Sequence, residues 1–344
     1  MKRPVLAITM GDPAGIGPEI AVKALSREEI REKCIPVVVG DYEPMREAVE
    51  FTRFGLKLNR IGCLSEAAGS TGTIDLIDMG YFSPRGWEYK KVSAPTGEAS
   101  FKYVKKGIEL AMAKEAHAVV TGPINKESIN LAGYHFAGHT EIFAKLTGTT
   151  DYAMLLMSKT LRVIHVTTHV SMREACDCVT KERVLGVIRL AKEGMRLIGI
   201  EEPRIGVAGL NAHASENGLF GDEEQKWIRP AVEQARAEGI DADGPVPPDT
   251  VFVKAIGGMY DVVVAMYHDQ GHIPLKLSGF KLDLATNRYT SMSGINTTIG
   301  LPIIRTSVDH GTAFGKAGEG RANEESMVDA IELAVTMAKH KFGL

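Results

Sequence analysis

Short apolar runs rich in β-branched residues recur along the chain, and each is bounded by glycine, proline or polar residues. Runs of this kind are typical of strands that are buried on both faces of a sheet. The pattern predicts strands over 5–9, 36–39, 74–77, 118–120, 161–166, 205–208 and 262–266.

Longer stretches with helical period separate several of these runs. The acidic residues 222–224 are predicted to open one helix, because the helix dipole favours negative charge there, and 324–339 is predicted to form another. Strands that alternate with helices indicate an α/β fold whose sheet is covered on both faces. A third helix, which Thr180 is placed to cap, has an apolar face formed by Val184, Val187, Ile188, Ala191 and Met195.

The composition is that of an ordinary globular protein: of 344 residues, 44% are apolar and 24% are charged, and the net charge is −3. This balance favours neither nucleic acid nor an acidic membrane surface as a partner. The longest apolar runs, 152–157 and 262–267, are far shorter than the roughly 20 residues of a membrane span, and the N-terminus has no signal-peptide pattern. Four cysteines are too few for a disulfide framework, so we expect ordinary thiols in a cytoplasmic protein.

A glycine-rich loop lies between the first predicted strand and a helix. Its glycines, Gly11, Gly15 and Gly17, match neither the dinucleotide-binding fingerprint nor the P-loop. Turns of this kind often bind a phosphate at the helix N-terminus, but a tight structural turn is an equally good interpretation.

Three histidines follow predicted strands: His169, His213 and His268. Ligands of open α/β sheets bind at the carboxyl ends of strands, and three imidazoles could form a metal site there. The alternative for each is a hydrogen-bonded structural histidine. His165 is an unsuitable partner of His169, because four residues of a strand span roughly 13 Å. His272 is an unsuitable partner of His268, because Gly271 weakens a helix between them.

Lys276, Asn296 and Arg305 lie in a glycine-rich region near the C-terminus. One arginine, one lysine and neutral donors commonly bind a phosphate or carboxylate. The alternative is that they are surface side chains, although Arg305 lies between apolar residues, where its charge needs a partner.

Seven blocks carry a resemblance to a known family: 11–19 (GDPAGIGPE), 121–126 (TGPINK), 138–141 (GHTE), 167–169 (TTH), 211–213 (NAH), 267–271 (YHDQG) and 305–313 (RTSVDHGTA). Over nearly its whole length the chain resembles the 4-hydroxythreonine-4-phosphate dehydrogenase family. Within that family it resembles the branch that acts on D-threonate or D-erythronate 4-phosphate.

The resemblance implies an isocitrate/isopropylmalate-dehydrogenase-like fold with two α/β domains and a cleft between them. We expect a cofactor-side domain from 1–130 plus 276–344, and a metal-binding and dimerisation domain from 131–275. It further implies a homodimer with its active site at the interface. The net charge and the short apolar runs give no reason to expect a nucleic-acid or membrane partner.

The same resemblance assigns the site residues. It implies that one divalent metal ion (Zn, Co, Mn or Mg) is bound by His169, His213 and His268, drawn from both subunits. The expected substrate contacts are His139, Thr140, Lys276, Asn296 and Arg305. The candidates for the catalytic base are Asp249, Asp269 and Lys126. NAD or NADP is expected at 310–313, with Gly311 and Thr312, and at the later residues Gly318, Gly320 and Asn323.

These residues imply oxidation of the 3-hydroxyl of D-threonate or D-erythronate 4-phosphate, with decarboxylation to dihydroxyacetone phosphate. Two alternatives share the fold: 4-hydroxy-L-threonine-phosphate dehydrogenase of vitamin B6 biosynthesis and a carboxylated cis-dihydrodiol dehydrogenase. A zinc hydrolase and a catalytically silent binding protein are alternatives of other classes.

The chain departs from the family pattern at two places. Ala212 and Ser215 replace the usual proline and glycine around His213. About ten extra residues, near 282–292, separate two expected substrate contacts, which affects the choice of substrate more than the chemistry. His272 favours the threonate/erythronate branch, because the vitamin B6 branch tends to have an apolar residue there.

Overall fold

The computed structural model describes residues 2–82, 85–284, 288–292 and 294–344. The pattern-predicted strands are all present, with ends that differ by at most one residue. Within the described residues the strands are β1 (Val5–Thr9), β2 (Ile35–Gly40), β3 (Lys57–Arg60), β4 (Thr73–Asp78), β5 (Ala118–Thr121), β6 (Ala153–Met157), β7 (Arg162–His165), β8 (Ile205–Ala208), β9 (Ala242–Val246), β10 (Val262–Ala265), β11 (Phe280–Asp283), β12 (Arg288–Met292), β13 (Ile295–Ile299) and β14 (Ile304–Val308).

The predicted helix after Thr180 is confirmed, and the Thr180 hydroxyl accepts a hydrogen bond from the Arg183 N–H at 3.2 Å. The acidic residues at 222–224 lead into a π-helical turn that begins at Glu224 (Glu224–Ile228) and continues into an α-helix. The α-helices are α1 (Gly17–Ser26), α2 (Glu28–Lys33), α3 (Tyr42–Thr52), α4 (Ala94–Met112), α5 (Lys126–Leu131), α6 (His139–Thr147), α7 (Met172–Asp177), α8 (Lys181–Arg196), α9 (Arg229–Ala237), α10 (Pro248–Ile256), α11 (His268–Gly279) and α12 (Glu325–Phe342).

The chain forms two compact units, of which the first contains Met1–Thr149 and Leu301–Leu344. Its strands run in the order β3-β4-β2-β1-β5-β14, and every neighbouring pair is parallel. Consecutive residues of β1, such as Leu6, Ala7 and Ile8, are all fully buried. Burial on both faces explains why these strands have continuous apolar sequences rather than alternating ones.

The second unit contains Thr150–Gly300, with the strand order β13-β6-β7-β10-β8-β9. The pairs β13/β6 and β6/β7 are antiparallel, whereas β7, β10, β8 and β9 are parallel. The predicted α/β class is therefore confirmed. The observed units divide at 149/150 and 300/301, later along the chain than the predicted domain limits, because α6 and β13 belong to the units on their N-terminal sides.

The extra segment near 282–292 forms an antiparallel pair in which Phe280 faces Met292 and Asp283 faces Arg288. The connection between these two strands, 285–287, lies outside the described residues, as does Ser293.

Gly271 was expected to weaken a helix between His268 and His272, but α11 runs through all three residues. A Cβ on residue 271 would lie 2.4 Å from His165 Nε2, so only glycine allows α11 to pack this closely on β7. In the part of the chain that the structure describes, no helix is long and apolar enough to cross a membrane.

Candidate active site

Three histidines of the second unit follow three neighbouring parallel strands. His169 follows β7, His268 follows β10 and His213 follows β8, and β10 is the middle strand. We call these three strand ends the histidine edge. Because parallel strands end on one side of a sheet, their histidines lie where α/β folds bind ligands.

His169 and His268 lie close enough to share an ion, since their ring centroids are 6.0 Å apart. Two imidazoles that bind one ion through bonds of about 2.0–2.1 Å have centroids about 5–6 Å apart. Among the described residues of a single chain, no group of three or more histidine, cysteine and acidic side chains converges on one point. One chain therefore brings two of the three predicted ligands near each other, without a complete site.

His213 begins a strained turn. The residues from His213 to Asn217 all have φ angles in the left-handed region, between 45° and 65°. That region costs non-glycine residues about 1–2 kcal/mol each. Ser215, with φ 65°, stands where the family usually has glycine. The surrounding structure must therefore hold this turn in place.

His268 forms a hydrogen bond of 2.6 Å between its Nδ1 and Asp269 Oδ1. A carboxylate on one ring nitrogen orients a histidine and leaves the other nitrogen for a ligand, as in many metal sites. The arrangement suits Asp269 to orienting His268 rather than to accepting a substrate proton.

His272 lies against His268 with stacked rings, at a centroid distance of 3.6 Å. Its Nδ1 donates to the His268 carbonyl at 3.0 Å. The ring of His165 is 4.8 Å from that of His272, and burial, followed by the nearby His272, lowers the pKa of His165 to about 3. His165 is thus a neutral packing residue behind the histidine edge.

A basic cluster, formed by Arg305, His139 and Lys126, lies in the first unit. Arg305 is only 2% exposed, and its Nη2 donates to Thr121 Oγ1 at 3.1 Å. Burial lowers the pKa of Arg305 to about 9, although the nearby Glu141 opposes this, so the guanidinium stays charged at neutral pH. The guanidinium carbon lies 5.6 Å from the centre of the Phe143 ring.

His139 begins α6, and its Nε2 is buried without a hydrogen-bond partner among the described residues. Burial lowers the pKa of His139 well below its usual value, and the positive charges of Arg305 and Lys126 lower it further. Thr140 follows in the first turn of this helix, where the helix dipole is positive. The basic cluster is therefore suited to an anion.

The predicted contacts Lys276 and Asn296 lie in the second unit. Lys276, on α11, is half-buried, and its Nζ lies 4.6 Å from the centre of the Phe280 ring. Asn296, on β13, is half-buried, and its Nδ2 lies 2.8 Å from Met154 Sδ. Both stay predicted substrate contacts.

An apolar groove of about 620 Å³ lies between α10 and α11, in the second unit. The candidate bases Asp249 and Asp269 lie in its lining, and both are exposed. The groove also has highly exposed apolar side chains, among them Val253 at 70% and Leu277 at 78%. Lys126, the third candidate base, is exposed at the start of α5.

The predicted cofactor residues Gly311 and Thr312 form a loop that packs on the N-terminal glycine-rich loop. The N–H of Ile16 donates to the Thr312 carbonyl at 3.1 Å, and a Cβ on Gly15 would lie 2.9 Å from Thr312 Cβ. Asn323 lies just before α12, and its Oδ1 accepts from the N–H of Glu325, the first residue of that helix, at 2.7 Å. The two loops are neighbours, and Asn323 has a structural role whether or not it also contacts a cofactor.

Asp12 is a residue whose importance the sequence pattern did not indicate. It is fully buried, and burial raises its pKa to about 6, although hydrogen bonds from Ala14, Ser128 and Thr96 partly oppose this. A carboxylate in a loop normally indicates an exposed turn, so only the packing of this loop reveals the burial.

Comparison with known proteins identifies a matching family and similar proteins. The sequence profile of the family described as pyridoxal phosphate biosynthetic protein PdxA matches residues 32–334. The D-threonate 4-phosphate dehydrogenase of Pectobacterium atrosepticum is 47% identical over 335 residues, which cover 97% of this chain and 99% of the relative.

Two solved structures are similar as well. A 4-hydroxythreonine-4-phosphate dehydrogenase from Klebsiella pneumoniae has a TM-score of 0.86 and 46% identity, with 98% of each chain covered. A terephthalate 1,2-cis-dihydrodiol dehydrogenase from Burkholderia xenovorans has a TM-score of 0.66 and 30% identity, with 97% of this chain and 98% of that chain covered.

Proposed function

The chain belongs to the PdxA family and is an oxidoreductase that acts on a CH–OH group, and on that premise we propose that it is a D-threonate 4-phosphate dehydrogenase. The proposed reaction oxidises the 3-hydroxyl of a four-carbon phosphorylated hydroxy acid, with NAD or NADP as the hydride acceptor. Loss of carbon dioxide from the resulting β-keto acid gives dihydroxyacetone phosphate.

The basic cluster is the observation that carries this proposal. Arg305 presents a buried, charged guanidinium, and a phosphate or carboxylate can accept two parallel hydrogen bonds from such a group. His139 Nε2 offers a further buried polar atom without a partner among the described residues. The cluster therefore favours a substrate with strongly acidic groups, such as a phosphorylated acid.

The histidine edge fits a divalent ion by its chemistry and by the spacing of His169 and His268. Imidazole nitrogens bind Zn, Co and Mn, and three of them leave a position open for substrate. When bound, such an ion supplies positive charge beside the hydroxyl that is oxidised. His169, His213 and His268 would bind it, and Asp269 would orient His268.

The other proposed site residues bind the substrate, position the cofactor or accept a proton. Arg305, His139 and Thr140 hold an acidic group of the substrate, and Gly311 and Thr312 place the cofactor. Lys126 and Asp249 are the better candidates for the base, because Asp269 is already bonded to His268.

A homodimer is part of the proposal. Exposed apolar surfaces of this kind mark protein interfaces, and we assign the groove between α10 and α11 to a second copy of the chain. His268 is the first residue of α11, which lines the groove, so a second copy bound there could supply the ligand that one chain lacks. Four cysteines without a disulfide suit a cytoplasmic enzyme.

The second candidate substrate is 4-phosphohydroxy-L-threonine, because the similar solved structure from Klebsiella pneumoniae has the corresponding name. His272 favours the hydroxy acid, since the vitamin B6 branch is expected to have an apolar residue at this position.

The test compares kcat/KM for D-threonate 4-phosphate, D-erythronate 4-phosphate and 4-phosphohydroxy-L-threonine, each with NAD and with NADP, by NADH or NADPH absorbance. We expect the hydroxy acids to be preferred. A clear preference for the amino acid would assign the enzyme to the other branch, and no reduced cofactor with any substrate would contradict the proposal.

A further inference from the structure

Three side-chain hydrogen bonds connect the strand ends that carry the histidines. The first joins β7 to β10, since Thr167 Oγ1 donates to the Met266 carbonyl at 2.9 Å. Thr167 precedes His169 by two positions, and Met266 precedes His268 by two positions. The backbones that present these two histidines are therefore held together directly.

Gln270 makes the other two connections with one amide group. The Met266 N–H donates to Gln270 Oε1 at 2.7 Å, and Gln270 Nε2 donates to the Gly209 carbonyl at 2.8 Å. Gly209 is the first residue after β8, on the segment that leads to His213. Gln270 is 8% exposed and thus links the ends of β10 and β8 from a buried position.

The next part of the His213 segment is held by Glu224, which is fully buried. Its Oε1 accepts from the Leu210 N–H at 2.8 Å and from the Asn211 N–H at 2.7 Å. Its Oε2 accepts from Asn211 Nδ2 at 2.9 Å. These bonds hold the backbone of Leu210 and Asn211, between Gly209 and the left-handed turn. The position of Gly209 therefore restrains the position of His213.

We propose that Gln270 is a positioning residue, which sets the His213 backbone relative to the His268 backbone and so keeps both ready to bind a metal ion. The inference rests on the proposed function, because it assumes that these histidines bind metal. It goes beyond that function by assigning a role to a residue that is neither a proposed metal ligand nor a proposed substrate contact.

Two features favour positioning over a purely structural role. A glutamine amide has a donor and an acceptor, and here each meets a backbone group of a different histidine-bearing segment. The left-handed turn is also unfavourable without outside support, so loss of the link should disturb His213 before it disturbs the strands.

The experiment uses the whole protein, loaded with Co(II) as the probe, and two substitutions. Gln270→Met removes the donor and the acceptor at similar size, whereas Gln270→Glu keeps the acceptor for the Met266 N–H and loses the donor to the Gly209 carbonyl. Gln234→Met is the matched control, because the Gln234 amide on α9 donates to Glu238 just beyond the end of the same helix, away from the histidine edge.

The first measurement is the dissociation constant of Co(II), by competition with a chelator, together with the visible absorption of the loaded protein. We expect Gln270→Met to bind Co(II) at least about tenfold more weakly than the wild type, which is the loss typical when a residue that orients a metal ligand is replaced. Its Co(II) absorption should fall when a water replaces a histidine. Gln234→Met should match the wild type in both.

Thermal unfolding of the metal-free proteins separates positioning from folding. A lower midpoint for Gln270→Met with an unchanged Co(II) spectrum at saturation would indicate a structural role and overturn the inference, as would an unchanged dissociation constant. If Gln270→Met fails to fold, Gln270→Glu decides by the same criteria. Wild-type protein that binds no Co(II) would instead overturn the metal part of the proposed function, and the inference with it.

Discussion

The basic cluster and the histidine edge differ in how far one chain completes them. In the basic cluster, Arg305 is buried and bonded to Thr121, so the proposed anion site lies within one folded unit. At the histidine edge, His169 and His213 are exposed, and no third ligand joins His169 and His268 in the described part of one chain. The proposed anchoring of substrate thus depends on the fold of one chain, whereas the proposed metal binding depends on strand ends, a strained turn and a second copy.

The largest effect is expected at the histidine edge. Replacing His169, His213 or His268 with alanine should abolish turnover and leave the fold largely intact, because all three follow strands rather than form the core. Chelation should have the same effect, and Zn, Co or Mn should restore activity. Steady-state rates with matched circular dichroism measure this.

His340→Ala, at an exposed position of α12, is the control and should keep wild-type activity. Full activity in metal-free wild-type protein would show that the histidine edge is not a catalytic metal site.

The basic cluster should show the next largest effect. Arg305→Ala removes a charge-assisted contact worth roughly 2 to 4 kcal/mol, or roughly 30- to 1000-fold in kcat/KM. Arg305→Lys should recover only part of this loss, because an ammonium group cannot make two parallel bonds. The measurement is kcat/KM with the phosphorylated acid, and Arg53→Ala, at an exposed position, is the control. Equal kcat/KM for Arg305→Ala and wild type would exclude Arg305 from substrate binding.

The buried carboxyl of Asp12 should make the stability of the first unit depend on pH. Burial raises its pKa from 3.8 to about 6 in the folded chain, so the folded protein keeps a proton that the unfolded chain has lost. Stability should therefore fall as pH rises from about 4 to about 6, by up to about 3 kcal/mol. Asp12→Asn stays uncharged and should remove this fall.

Denaturant unfolding at pH 4, 5, 6 and 7 measures the effect. Asp241→Asn, which changes an exposed carboxylate, should keep the pH dependence of the wild type. If Asp12→Asn kept it too, the carboxyl would not be the source.

The sequence predicted seven strands and α8 correctly, because continuous apolar runs and a capping threonine act locally, but β6 and β14, which are also buried, were not among the predicted strands. It also placed His169, His213 and His268 at strand ends. It could not show that β10 lies between β7 and β8, because strand order results from pairing between distant segments. The sequence could not explain Gly271 for the same reason. A glycine weakens a helix locally, but this glycine is needed because His165, on another strand, packs directly against it.

The supporting residues of the site were harder to recognise than its ligands. Glu224 looked like an ordinary acidic residue near a helix start, although it is buried and binds backbone N–H groups. The left-handed turn has no glycine between His213 and Asn217 to indicate it. Both features result from packing between distant segments, so they could not be predicted from the local sequence.

The smallest expected signal tests whether the two regions really differ in their need for a partner. If the metal ligands come from two subunits, a hybrid of two inactive histidine variants contains one site with all its ligands. Random assortment makes half of the dimers hybrid, each with one intact site of two, so about a quarter of wild-type activity should return.

The three pairwise mixtures of His169→Ala, His213→Ala and His268→Ala should be compared with each variant alone, after mass spectrometry has shown that subunits exchange. Two of the three mixtures should recover activity, because the two ligands that come from the same subunit cannot complement each other. A mixture of Arg305→Ala with Lys126→Ala is the contrasting measurement: the basic cluster lies within one unit, so that pair should recover nothing. Recovery in none of the histidine mixtures, despite exchange, would show that each metal site is built within one chain.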